Sequence, residues 1–414
     1  MANTLVTPSK IAKEALMQLE NNLVMGNQVH REYKKEFTGG QGSTVSIRRP
    51  VKFYTSDGAT RVNQDVEEKT TNVVVDQRKH VSWKFSTQDL TLSIEEYSER
   101  YIKPAMITLA NTVDRSLLGL YSAVWNSVGT PGTTPANFAA VAGAAQRLDE
   151  MAVLSDNRSM MLNPAAHYAV AGNQLTLDSV GAMGKSAYER AQVGYVAGFD
   201  TFSTQNIQNH TVGVATGTPL VNGGSQNVTY ANATGNNWSQ TLNTDGWTNS
   251  TTGILKAGDV FTIAGVYAVN PVPGEGTTGK TVMPDLQQFT VLADADSGAT
   301  TGPAALTISP PIITSGAQQT VDAAPADDAA ITVLGTGSTA YPQNLGFHKN
   351  AFALVTCPLE MPDGAAFKAR ESHNGLSVRV VKDYDIDSDD DIIRLDILYG
   401  RKAIYPDLAA RLWG

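Results

Sequence analysis

The chain has 414 residues, 42% of them hydrophobic and 17% charged, with a formal net charge of −9. That length exceeds one ordinary core and predicts two or three domains, and the apolar content excludes a disordered chain. A single cysteine, Cys357, excludes a disulfide framework and a multi-cysteine metal site, while 31 basic against 40 acidic residues excludes a strongly basic nucleic-acid binder.

Residues 9–25 predict a helix. Ala12, Leu16, Leu19 and Leu23 form an apolar stripe, Lys10, Lys13, Glu14 and Glu20 lie off it, and Gly26 supplies a stop. The N-terminal stretch lacks an apolar h-region, and no run of about 18 apolar residues occurs. Neither a signal peptide nor a transmembrane helix is expected, and the cytoplasm is the default compartment. Residues 43–85 predict an extended hairpin, because STVSIRRPVKFY and TNVVVDQRKHVSWKF alternate in the β manner. The polar segment between them is too long for a tight turn and predicts a projecting loop. Its charged residues Arg61, Asp65, Glu67, Glu68 and Lys69 read either as a solvated surface or as an arm that reaches a neighbouring subunit through ion pairs.

Ser93 to Glu96 fits a capping box, and a long helical pattern follows, with Met106, Leu109, Ala110, Val113, Leu117, Leu120, Tyr121 and Val124 on one face. From Pro104 to Val128 such a helix would be roughly 37 Å long. Thr134-Pro135 opens a further helix to about Met151, SMML is a short strand, and Asn163-Pro164 caps another helix. KSAYERAQ, after Gly184, reads as helix and GYVAGFDTFST as strand.

The stretch from Thr201 to Leu345 differs from its flanks. It holds two basic and nine acidic residues, 17 of the 36 glycines and 9 of the 18 prolines. It predicts a separate domain of turns and short strands inserted into an α+β parent. After it come a buried strand, NAFALVTCPL, a hairpin of GLSVRVVKDYDI with DIIRLDILYG, and the terminal YPDLAARLWG.

Little here points to catalysis. Gly181 to Ser186 ends like a phosphate-binding loop, but Ser179 stands where the pattern needs glycine. Asp383, Asp385, Asp387, Asp389, Asp390 and Asp391 alternate as calcium ligands do, yet the loop lacks the required Gly and Glu, so a solvated hairpin tip is the expectation. The six histidines are scattered, no GxSxG elbow occurs, and Cys357 reads as a buried structural thiol. His167 reads as a packed helix residue. No enzymatic activity, cofactor or metal is expected. Six Asn-x-Ser/Thr sequons, without a signal peptide, read as compositional noise.

An N-terminal helical arm, a projecting hairpin, a long helix and an inserted β-rich domain have little to bury against within one subunit and make sense if neighbours cover them. That order of parts resembles the major capsid proteins of tailed bacteriophages, the HK-97-type fold, and more narrowly the coat proteins of P-22-like short-tailed phages. The residues behind the resemblance are Val196 to Asp200, Thr244 to Trp247, Gly258 to Val266, Leu286 to Phe289, Phe347 to Leu354, and Leu398-Tyr399-Gly400 with Pro406.

The resemblance implies an N-terminal arm (1–37), an extended loop (38–88), a spine helix with the peripheral domain (89–129), an axial domain in two parts (130–212 and 344–414) and an inserted β-barrel domain (213–343). It implies a major capsid protein that self-assembles through pentamers and hexamers into an icosahedral shell. It further implies a scaffolding protein, a portal protein, weak non-specific contact with packaged double-stranded DNA, a place in the virion, and assembly in the host cytoplasm. Asp245, in a polar loop of the insertion, is a candidate contact between capsomers beside its plain reading as a β-turn Asp-Gly. Some capsid relatives crosslink through Lys and Asn; no motif selects among Lys52, Lys69 and Lys79, and no crosslink is expected. The alternative from a different class is a β-rich carbohydrate-binding or hydrolytic protein, which would need aromatic platforms from Trp238 and Trp247 or a carboxylate pair.

Overall fold

The computed structural model describes residues 8–32, 44–56, 58–64, 66–86, 98–177, 193–272, 280–365, 367–388 and 390–414. The capping box at Ser93, the Gly181 to Ser186 loop, the KSAYERAQ helix, Asp65 and Asp389 lie outside the described residues.

In chain order the elements are α1 (Pro8–Asn22), α2 (Met25–Gln28), β1 (Thr44–Arg48), β2 (Thr70–Ser86), α3 (Lys103–Leu118), β3 (Ser127–Val128), α4 (Phe138–Glu150), β4 (Arg158–Leu162), α5 (Pro164–Leu177), β5 (Tyr195–Val196), β6 (Phe199–Ser203) and β7 (Asn209–Thr211). Then follow β8 (Gly217–Val221), β9 (Gln240–Trp247), β10 (Val260–Val269), β11 (Val282–Val291), β12 (Ala304–Ser309), β13 (Ile331–Val333), β14 (Ala340–Pro342), β15 (Asn344–His348), β16 (Phe352–Thr356), β17 (Phe367–His373), β18 (Leu376–Asp385), β19 (Asp390–Ala403) and β20 (Ala409–Leu412). The chain divides into two compact units, residues 1–46, 72–118 and 352–402 in the first and 47–71, 119–351 and 403–414 in the second.

In the first unit α1 packs on α3, β17 and β18. The sheet orders its strands β1-β2-β19-β18-β17, with β16 also on β19. Leu16 and Leu19 of α1, Met106, Leu109, Val113 and Leu117 of α3, and Val378, Val380, Leu395 and Ile397 of the sheet are buried, so the apolar stripes read from sequence do face a core. Gly26 does not stop the first helix. α1 ends at Asn22, and Gly26 sits inside α2. Asp114, buried on α3, accepts from Val24 N (2.7 Å) and Gly26 N (2.9 Å), satisfying donors at the start of α2 from a residue far along the chain. Asp396, also buried, is held by Arg379 and Arg394 at 2.6 and 2.8 Å, and these partners keep its carboxyl below the usual range despite burial. β17 was not anticipated; it is a third strand beside the expected β18–β19 hairpin.

The expected long helix is shorter. A π-turn (Ser98–Ile102) precedes α3, which ends at Leu118; a 3-10 turn follows to Ala123, and Ser127–Val128 is a strand parallel to β20. Gly119 weakens the helix there. The periodicity ran on because Tyr121, Val124 and Trp125 are themselves buried, in the second unit.

In the second unit a mixed sheet, β3-β20-β15-β4-β6-β5, packs against α4 and α5 around Val141, Leu148, Met160, Leu162, Val170, Phe199 and Leu412. Asn137 caps α4 by accepting from Ala140 N at 2.8 Å, so that helix starts at Phe138 rather than at Pro135. Asn163 does the same for α5, as expected from Asn163-Pro164.

The insertion is a barrel. Its antiparallel strands run β13-β10-β11-β12-β9-β8, and the Leu220–Ala330 bridge closes β8 onto the approach to β13. The sheet is thereby nearly closed on itself, which shortens its exposed edges. Leu242, Phe261, Ile263, Phe289, Leu306 and Ile308 fill it. The chain enters through β7 and leaves through β14, which pair as a neck with His210 opposite Tyr341. The barrel strands and neck span residues 209–342, within the second compact unit.

Candidate assembly surfaces

The extended loop begins earlier than the alternation suggested. β1 stops at Arg48 because Pro50 lacks the donor a ladder needs. Residues 49–69 then form two legs. Their base is tied by Arg49 N to Lys69 O (2.7 Å) and by an Arg48–Glu68 ion pair at 3.1 Å. Midway, the Gln64 side-chain amide accepts from Tyr54 N (3.0 Å) and donates to Tyr54 O (2.6 Å), standing in for a missing strand pair.

The base is anchored within its own subunit. Arg49 lies over the Trp238 ring at 4.7 Å and the Tyr405 ring at 5.7 Å, and Tyr405 donates to Arg48 O at 3.1 Å. Lys69 donates to Ala231 O and lies 5.7 Å from the Tyr230 ring. Of the candidate contact residues, Glu68 and Lys69 therefore have partners within the chain. Arg61 and Glu67 are exposed, and no ion pair to either occurs among the described residues. The loop also exposes Phe53, Val62 and Val66, each more than half accessible. Sequence patterning missed these apolar residues, which charge had overshadowed.

Asp245 is not in a loop. It lies within β9 opposite Leu220, half-buried, beside a one-residue slip of register against β8. Gly246, at φ 72°, turns the alternation so that Trp247 points inward after Thr244. The Asp-Gly pair thus marks a bulge, not a β-turn.

A buried polar chain holds the barrel at its neck. Asp259 accepts from His210 Nε2 (2.7 Å), Lys256 N (2.7 Å) and Gly213 N (3.0 Å). The other ring nitrogen, Nδ1, lies within hydrogen-bond distance of the Tyr121 hydroxyl, 3.0 Å away. Arg411, buried in β20, donates to Gly258 O (2.6 Å) and lies 5.3 Å from the Tyr121 ring. Burial pushes its guanidinium down to about 10 and the Tyr121 hydroxyl up, so Arg411 is still charged at neutral pH.

The other sites weighed in the sequence resolve into structure. Lys84 pairs with Asp390 at 2.7 Å and Lys382 with Asp391 at 3.1 Å, and Asp385 accepts from Asp387 N and the Ser388 hydroxyl. Among the described residues no three His, Cys, Asp or Glu side chains gather as a metal site would need, and no helix is long and apolar enough to cross a membrane. Cys357 is half-buried just past β16, not sealed in the strand as expected. His167 is half-buried in α5 against Tyr168. Trp238 and Trp247 are both buried, so neither is an exposed sugar platform.

The loop is thus braced at its base and exposes apolar and charged side chains beyond it, on a unit that carries a barrel. All 414 residues match the family described as "P22 coat protein - gene protein 5", and the chain belongs to that family. It is a major capsid protein of a tailed phage, with a mixed helix-and-sheet fold that carries a nearly closed barrel sheet. A curated relative, the "Major capsid protein" of Acyrthosiphon pisum secondary endosymbiont phage 1, is 24% identical over 98% of this chain and 97% of its own length. Similar solved structures include one from Mycobacterium phage Che8 (13% identity, 94% of this chain and 90% of that chain, TM-score 0.48). Another is the capsid structure of the Cyanophage P-SCSP1u (12% identity, 91% and 84%, TM-score 0.43).

Proposed function

We propose that residues 49–69 are the arm by which one subunit grips the next in the shell, and that the barrel braces this arm. The observation that carries the reading is the division of the loop. Its base is bonded within the subunit, while Phe53, Val62, Val66, Arg61 and Glu67 face solvent. Apolar area with a charged rim is what a weak, repeated interface needs, because closure of the shell multiplies contacts of a few kcal/mol each. Asp245, outward on β9, is the corresponding candidate on the barrel. Pentamers and hexamers, a scaffolding protein, a portal, weakly held double-stranded DNA and assembly in the host cytoplasm complete the proposal. The domain designations follow it: arm 1–37, extended loop 38–88, spine 89–129, axial 130–212 and 344–414, insertion 213–343.

Charge reversal tests the arm. Glu67→Lys lowers the yield and rate of closed shells, read by sedimentation and negative-stain microscopy, and leaves the unassembled subunit's unfolding midpoint unchanged. The loop contact is salt-sensitive in the native protein. Normal shells from Glu67→Lys and Arg61→Glu would remove both residues from the interface.

A further inference from the structure

The second unit contains a cleft of about 300 Å³, a volume that suits a small ligand. Three stretches of chain meet there: the loop base from Arg49 to Lys52, the barrel residues Lys280, Gln287 and Gln318 to Thr320, and Tyr405 to Leu408. Its charges are unbalanced. Arg49, Lys52 and Lys280 face one carboxylate, Asp407, which Arg49 approaches at 3.8 Å. Lys280 is 7% exposed, and its ammonium, which has three donors, makes one hydrogen bond among the described residues, to Gln319 O at 2.9 Å. No carboxylate among the described residues lies within ion-pair distance of Lys280 or Lys52.

A buried ammonium with no counter-ion among the described residues is costly. The cost is visible: burial, with the positive charge of Lys52 adding to it, pushes Lys280 down to about 7. The walls are otherwise apolar or neutral: Trp125, Trp238, Pro271 and Pro310 exclude water, and the glutamine amides can donate. Nothing in the capsid role itself requires this cleft.

We propose that this cleft binds a small, multiply charged oxyanion of the phosphate class, held between Lys280, Lys52 and Arg49. Such an anion would neutralise the buried ammonium, and its contacts would fasten the loop base to the barrel. Binding above neutral pH draws a proton onto Lys280, because the anion favours the charged form.

The probe is inorganic phosphate, titrated calorimetrically into intact shells and into the unassembled full chain at about pH 7 and about pH 8.5. The expected result is one phosphate per chain, with proton uptake larger at the higher pH, seen as a dependence of heat on buffer ionisation. Lys280→Met abolishes binding and, being apolar at a buried position, keeps the fold. Lys52→Met, at an exposed position, weakens binding by about tenfold. Lys256→Met, outside the cleft, leaves it unchanged. Phosphate bound equally well by the Lys280→Met and Lys52→Met variants would be an adventitious ion only and would overturn the proposal. So would an absence of saturable binding at millimolar phosphate.

Discussion

Replacing Asp259 tests whether the neck network holds the barrel. In Asp259→Ala the donors His210 Nε2, Lys256 N and Gly213 N all lose their acceptor in a region where His210 and Asp259 are buried. Each unsatisfied buried donor costs about 1–3 kcal/mol. Three would total up to ~9 kcal/mol, but partial relaxation and water entry bring the expectation to about 3–5 kcal/mol, the usual cost of removing one partner from a buried polar pair. That is a large share of the roughly 5–15 kcal/mol by which a domain is stable. Asp259→Asn keeps one acceptor oxygen and turns an amide group toward a donor, so about half that loss is expected. The assay is urea unfolding of the unassembled subunit, followed by the fluorescence of its five tryptophans, of which Trp247 lies in the barrel core. A loss below about 1 kcal/mol in Asp259→Ala, at unchanged slope, would refute the reasoning, since the donors would then have had ready alternatives.

Two further outcomes follow from single positions. Burial pushes Asp114 up to about 6 despite the backbone donors at Val24 and Gly26. The folded protein therefore holds this proton between about pH 4 and pH 6 where the unfolded chain has lost it, and stability falls as pH rises through that window. The span from 3.8 to about 6 corresponds to at most ~3 kcal/mol. Urea midpoints of the native protein and Asp114→Asn across that range should differ by a slope of this sign, and parallel curves would refute it. Gly246→Ala should cost about 1–3 kcal/mol: the backbone is left-handed at φ 72° and the added Cβ would meet Thr218 O. A thermal scan showing no change would place the strain elsewhere.

The sequence carried those elements whose signal is periodic or compositional. The stripes of α1 and α3 were readable because each repeats over several turns against one core. The β-rich character of the middle was readable because its glycine and proline content marks short strands and turns. Elements fixed by distant partners were not readable. No local pattern announces that Asp114 caps α2, that Asp259 satisfies a neck formed by β7 and β14, or that Arg411 in the last strand bonds to Gly258. Ser127–Val128 was taken into a helix because burial, not helix geometry, sustains its periodicity. The loop's charged residues were visible, but their division into Glu68 and Lys69, bonded within the chain, and Arg61 and Glu67, exposed without an ion pair among the described residues, depends on where Tyr230, Ala231 and Trp238 lie in space.

That division bears on how the arm would work. An interface built on a long loop loses affinity to the ordering of the loop, by about 0.5–1.5 kcal/mol for each side chain immobilised. Arg49 between two rings, Lys69 on Ala231 O and the Gln64–Tyr54 clamp fix the legs before any neighbour arrives. On the proposed reading the barrel would contribute to the arm's contact by holding the loop base in place. Trp238→Ala, far from the loop's exposed end in sequence, should then slow shell closure as Glu67→Lys does, and unlike Glu67→Lys it should also lower the subunit's own unfolding midpoint, because it opens a cavity beside Trp125 and Ile313. If Trp238→Ala destabilised the subunit yet left closure unchanged at a temperature where it remains folded, the arm would be ordering itself on the neighbour, and the brace would have no part in assembly.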